Sequence, residues 1–298
     1  MVTNFIDYAY ELCGKLIKTP FGEGVFRVLK ATKVHILVAK VYHKIHYNNP
    51  TDDMLKARAY FKANKERVDR ITNMLVDKKS KDVYSKMIQF RQYSNAKEFP
   101  EFCEHDQYFA SDIIKLKDNE VFVDCGAFTG DTVRSFLKYS KGKYKKIICL
   151  EPDTQNAKEL VKFTESNNLK ETNVIKSGAW SKKDILKFNN GNSSCSSIGE
   201  DDENTIQIDV IDLDSVEECQ EATFIKMDIE GAELPALEGA KNIIQRNKPT
   251  LTICIYHSDE DMIRIPEYIK TLVPEYEFYV RQHLFHKFET VLYAVIEE

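Results

Sequence analysis

The stretch VFVDCGAFTGDT, residues 121–132, decides how the rest of the chain is read. An apolar run ends in an acid, Asp124, then passes through Gly126 and Gly130 with Phe128 between them. This is the pattern of a buried strand turning into a helix, because glycine reaches the tight-turn conformations without steric cost. In an open α/β sheet the same turn is where a ligand meets the backbone. Val133, Phe136 and Leu137 continue it with i, i+3, i+4 apolar spacing, the face a helix lays on a sheet.

Working outward, further strand-like runs fall at 146–151, 173–180, 224–228, 250–256, 276–280 and 290–297. Helical stripes fit between most of them: Ala157, Leu160 and Val161 behind a capping Asp153, and Leu234, Leu237 and Ala240 behind the fourth run. Ser258 is placed to cap the helix after the fifth. Strands alternating with helices predict an α/β fold, a seven-stranded, mainly parallel, doubly wound Rossmann-like sheet. The last two strands, joined by RQHLFHKFE, form an antiparallel pair at its end. Residues 184–215 break the rhythm, with ILKF and TIQIDV as extra strands around the polar loop NNGNSSCSSIGEDDEN. Before residue 106 the periodicity is helical, with Leu55, Tyr60, Val68, Ile71 and Leu75 as its apolar positions. The expected organisation is therefore an N-terminal helical region, 1–105, and an α/β domain, 106–298.

Composition sets the outer bounds. A chain of 298 residues with 43% hydrophobic and 30% charged residues is globular, and its net charge of −5 disfavours a general nucleic-acid binder. The seven cysteines are dispersed with no CxxC pair, as expected of reduced thiols in a cytoplasmic protein. Neither a signal peptide nor a membrane-spanning run is legible. Residues 11–50 carry a net +5, leaving −10 for the remainder. The basic, apolar segment 24–47 suits peripheral contact with a membrane or glycolipid, or else a helix packed on the main domain with its lysines in water; the packed helix is the favoured reading.

Two ligands compete for the first loop. A nicotinamide dinucleotide asks for GxGxxG, and Phe128 stands where the middle glycine must admit the pyrophosphate. Asp124 and Asp131 would also face that anion. S-adenosylmethionine brings an ammonium and a sulfonium, and is the better electrostatic partner. Asp124 is expected to meet the ammonium directly or through water, and Glu151, ending the second strand, to accept the ribose hydroxyls. The remaining cofactor contacts are assigned to the loop Gly126, Ala127, Phe128, Thr129, Gly130, Asp131 and Thr132, to Pro152, to Gly178, Ala179 and Trp180 near the adenine, and to Asp228.

KMDIEGAE, residues 226–233, places Asp228, Glu230 and Glu233 close together after the fourth strand. Such carboxylates suit a divalent cation, a base, or hydrogen bonds to a polyol; no metal is assigned here. His257 ends the fifth strand, and its unperturbed pKa of about 6.5 suits proton removal at neutral pH. Asp228 and His257 are the expected catalytic pair. Lys226, Glu230, Glu233, Arg281 and His283 are expected to orient the acceptor.

VFVDCGAFTGDT, ICLEPD, FIKMDIEGAELPALEGA, KPTLTICIYHSDEDMIRIPEYI and ETVLYA, in that order, resemble the FkbM-type S-adenosylmethionine-dependent methyltransferases over residues 106–298. The resemblance implies a class I methyltransferase sheet, S-adenosylmethionine as cofactor, and O-methylation of a sugar, glycan or secondary-metabolite hydroxyl. A non-catalytic S-adenosylmethionine-binding scaffold and a nicotinamide-dependent oxidoreductase are the rival readings. The acceptor's identity and the oligomeric state are not legible.

Overall fold

Strand β1 (Val121–Cys125) is apolar on both faces apart from Asp124, and every one of its residues is buried. Only a strand covered on both sides tolerates such a run, so its neighbours in the sheet are parallel. They are β2 (Lys146–Leu150) on one side and β7 (Phe224–Met227) on the other, both parallel to it. The computed structural model describes residues 50–94, 104, 106–189, 205–284 and 287–297. The basic segment 24–47 and residues 190–204 of the polar loop lie outside the described residues.

The main sheet has seven strands in the order β3-β2-β1-β7-β8-β10-β9, with β3 Thr172–Ile175, β8 Thr250–Cys254, β9 Glu277–Gln282 and β10 Thr290–Val295. Pairings β2–β3 and β7–β8 are parallel. The link from His283 to Glu289 is too short for a crossover, so β9 and β10 run antiparallel. The run 173–180, expected as one strand, is two. It breaks at Ser177, whose N–H returns to the Ile175 carbonyl and whose Oγ donates to the Asp209 carbonyl. Beyond the break, β4 (Gly178–Ala179) joins β6 (Thr205–Ile211) and β5 (Asp184–Asn189) in a separate three-stranded sheet, with β5 and β6 antiparallel.

The chain divides into two compact units. The larger comprises residues 111–277 and 293–298. Its helices are α4 (Asp131–Tyr139), α5 (Thr154–Ser166), α6 (Glu233–Glu238), α7 (Lys241–Asn247) and α8 (Asp261–Leu272). Asp153 caps α5 by accepting the N–H groups of Gln155 and Asn156. At the start of α8, Ser258 and Asp261 bond reciprocally, each side chain accepting the other's N–H, which satisfies donors a helix start leaves free. Phe122 stacks on Phe136 with ring centroids 4.5 Å apart and meets Phe224 edge-on, so the first strand and first crossover helix share one core.

The smaller unit comprises residues 1–110 and 278–292. Its described helices are α1 (Asp52–Ala63), α2 (Lys65–Met74) and α3 (Lys78–Tyr93). Leu55, expected on the buried stripe, is 48% exposed; Met54, Ala57 and Phe61 face inward instead. Arg281 reaches the capping Asp77 at 2.7 Å and donates to Ser80 Oγ at 2.8 Å, fixing the start of α3 to β9. Among the described residues, no helix is long and apolar enough to cross a membrane.

Candidate active site

The turn after β1 is built around two positive-φ glycines. Gly126 has φ +80°, and a Cβ placed there would lie 2.1 Å from the Asp228 carbonyl oxygen. The close approach that glycine permits is therefore between two strand-end loops of the chain itself. Gly130, at φ +90°, faces Phe163 and Leu160 of α5, where a Cβ would sit 2.7 Å and 3.0 Å from side-chain carbons. Between them Phe128 adopts φ +47° and is 53% exposed. A bulky residue there is strained, and its N–H is held by Glu151 Oε2 at 2.8 Å.

The ends of β1, β2 and β7 are stitched together by backbone. The N–H groups of Gly126 and Ala127 donate to the Leu150 carbonyl, and that of Asp228 to the Cys125 carbonyl. Glu151 follows β2 and is 6% exposed, with Oε1 accepting from the Asp153 N–H. Burial raises its carboxyl pKa, opposed by the two backbone N–H groups. Each carboxylate oxygen accepts more than one hydrogen bond, so capacity remains for a ribose hydroxyl pair. Nearby, Pro152 packs beside Gly178, Ala179 is buried, and the Trp180 N–H donates to the Ile211 carbonyl. A Cβ on Gly239 would lie 2.0 Å from the Trp180 carbonyl oxygen, so the backbone at Trp180 is fixed by the helix behind it.

Asp124 departs from expectation. It is fully buried, and its cation comes from the chain: Lys226 Nζ lies 3.0 Å from Oδ1. Lys226 also donates to the carbonyls of Cys125 and Gly126. Burial alone would lower the lysine's pKa, but the carboxylates of Asp124, Asp228 and Asp131 hold it well above its ordinary value. Direct capture of a ligand ammonium by Asp124 is thus replaced by an internal pair that braces the turn. The expected rim position of Lys226 is corrected for the same reason: at 1% exposure it is a strut beneath the loop.

Arg281 and His283 are corrected as well. Arg281 is 1% exposed and committed to Asp77 and Ser80. His283 is 4% exposed, with Nδ1 2.9 Å from the Glu104 carbonyl. Neither has a side chain left at a surface to orient an acceptor.

The carboxyl ends of β7 and β8 bring the expected catalytic residues together. His257 Nδ1 lies 3.1 Å from Glu233 Oε1, and Nε2 lies 3.5 Å from both Asp228 Oδ1 and Glu230 Oε2. Tyr256 donates its hydroxyl to Asp228 Oδ1 at 3.0 Å. Glu233, expected at the acceptor, is fully buried, and its Oε1 accepts the Ile229 N–H. Its contact with the imidazole makes it a support for His257. Glu230, by contrast, has a 77% exposed side chain on a backbone at φ +56°.

Burial lowers the His257 pKa, but Glu233, Asp228 and Glu230 outweigh it and raise it to about 9. The expectation of a neutral imidazole ready to take a proton at pH 7 is therefore corrected. Enclosure by three carboxylates makes it an imidazolium there. Tyr256 was missed because it reads as the last residue of an apolar strand. Its place immediately before His257 was the available signal.

Five mutually parallel strands, β3, β2, β1, β7 and β8, in the order seen here define the class I methyltransferase fold. A family model for the methyltransferase FkbM domain matches residues 124–287. The chain belongs to that family. The crystal structure of methyltransferase FkbM from Methylobacillus flagellatus is similar at 27% identity and a TM-score of 0.68, over 79% of this chain and 60% of that one. This chain thus spans less than two thirds of that protein's length. An rRNA methylase from Streptococcus thermophilus is 18% identical over 61% of this chain and 90% of its own, at a TM-score of 0.40. Aeropyrum pernix fibrillarin, solved with natively bound S-adenosyl-L-methionine, is 13% identical over 61% of this chain and 70% of its own, at 0.37. Comparison with curated protein sequences finds no match. Family membership sets aside the oxidoreductase reading.

Proposed function

We propose that this protein is an S-adenosylmethionine-dependent O-methyltransferase acting on a hydroxyl of a sugar, glycan or secondary metabolite. The observation that carries the reading is the meeting of Asp228 and His257, at the ends of adjacent strands, with Glu233 at the start of α6, beside the turn that follows β1. S-adenosylmethionine, when bound, supplies the methyl group on a sulfonium.

The chain's own residues supply alignment and a proton acceptor. Glu151 holds the ribose hydroxyls while bracing Phe128. Phe128, strained and exposed, offers an aromatic face beside that carboxylate. When the acceptor hydroxyl is methylated, the Asp228 carboxylate would take its proton. Tyr256 and the His257 imidazolium keep that carboxylate oriented, and Glu233 fixes the imidazole from behind. In-line displacement gains mainly from such positioning.

Calorimetric titration with S-adenosylhomocysteine tests the cofactor half, with NAD as control. Binding of S-adenosylhomocysteine that weakens at least tenfold in Glu151→Ala, with no NAD heat, is the expected result; no binding by the parent protein would sink the reading. Asp228→Asn tests the other half and should retain S-adenosylhomocysteine affinity while losing turnover on a hydroxylated acceptor. Unchanged turnover would remove Asp228 from the mechanism.

A further inference from the structure

The carboxylates around His257 are arranged in a way that proton acceptance alone does not require. One donor atom each from Asp228, Glu233 and His257 lie within 4.8 Å of one another. Metal–ligand bonds of roughly 2.0–2.2 Å put ligand atoms about 3–4 Å apart, so small side-chain rotations close this set on one ion. Glu233 is fully buried, and its Oε2 has no hydrogen-bond partner. A buried carboxylate oxygen left without a donor is costly unless something cationic meets it. The cluster stands at the carboxyl ends of β7 and β8, with Glu230 3.5 Å from the same imidazole nitrogen as Asp228.

We propose that Asp228, Glu233 and His257 form a binding site for one first-row divalent cation, with open positions that take acceptor oxygens. A mixed set of one imidazole and two carboxylates suits manganese, iron or zinc better than calcium. The sequence alone assigned no metal here and left the need for a divalent cation open; the catalytic meaning of this inference rests on the methyl-transfer reading above. A cation here lowers the pKa of a bound hydroxyl. The imidazolium gives up its proton to solvent when the ion binds; the acceptor's proton then passes from the coordinated oxygen to the exposed Glu230 carboxylate, and Asp228 serves as ligand.

The test uses the full chain, stripped with chelator and free of cofactor and acceptor, so that its failure is independent of methyl transfer. Mn²⁺ and Zn²⁺ are titrated separately by calorimetry, and bound Mn²⁺ is examined by electron spin-echo modulation. Expected are one saturable equivalent, a nitrogen modulation lost in His257→Gln, and affinity reduced at least tenfold in each of His257→Gln, Glu233→Gln and Asp228→Asn. Circular dichroism checks that each variant folds. If Glu233→Gln does not fold, Asp228→Asn, which removes charge at a side chain that still reaches solvent and preserves its shape, carries the test. No saturable binding by the parent chain, or affinities unchanged in the folded variants, overturns the site.

Discussion

Gly126→Ala separates two roles of the glycine that opens the first turn. The substitution places a Cβ 2.1 Å from the Asp228 carbonyl oxygen, a backbone atom that no side-chain rotation can move aside. It also forces alanine to φ +80°. The left-handed conformation costs about 1–2 kcal/mol and the overpacking a further 1–3 kcal/mol, together roughly 2–5 kcal/mol. For a unit of this size each kcal/mol lowers Tm by about 2–4 °C. Gly142 is the internal control, because it has φ +74° and nothing within 4 Å of its notional Cβ. Gly142→Ala therefore bears only the conformational cost, about 1–2 kcal/mol. Thermal denaturation of both variants under one buffer condition isolates the steric part, and Gly126→Ala should melt several degrees below Gly142→Ala. Equal shifts would mean that the Asp228 loop yields freely, and that the close approach places no constraint on the site.

Two further outcomes follow from buried charge. The folded-state pKa of His257, about 9, lies above its unfolded value, so its contribution is fully present below about pH 6.5 and is lost as pH rises through 9. In chelator-treated protein this is worth on the order of 3 kcal/mol, and denaturant midpoints should fall across that window in the parent but stay flatter in His257→Gln. A parent profile as flat as the variant's would show that the imidazole is not enclosed by charge. Lys226→Met leaves Asp124 buried without a cation and should cost about 3–5 kcal/mol by chemical denaturation. Adding Asp124→Asn should recover part of that loss, and a double variant no more stable than the single would count against the pair.

Much of the fold was legible because its causes are local. Strand β1 announces itself as an apolar run ending in an acid, and the stripe Val133, Phe136, Leu137 follows from helical period alone. Asp153 and Ser258 were readable as caps, since each bonds within three residues of itself. The break in the run 173–180 was not readable, because Ser177 turns the chain by bonding Asp209, 32 residues away.

The candidate site divides along the same line. The order of motifs marks where Asp228, Glu230, Glu233 and His257 fall relative to strand ends, and parallel strands must bring those ends together. Sequence thereby determined the class of fold, the family, and the residues from which a site is made. The tertiary structure decided what each charge does. Asp124 and Lys226, read as ligand contacts, neutralise one another because β1 and β7 are neighbours. Arg281 pairs with Asp77 across 204 residues of chain. His257 gains its proton because three carboxylates surround it at 3.1–3.5 Å. Strand and helix signals depend on near neighbours, whereas the charge state and contacts of a buried group depend on whatever the fold sets beside it.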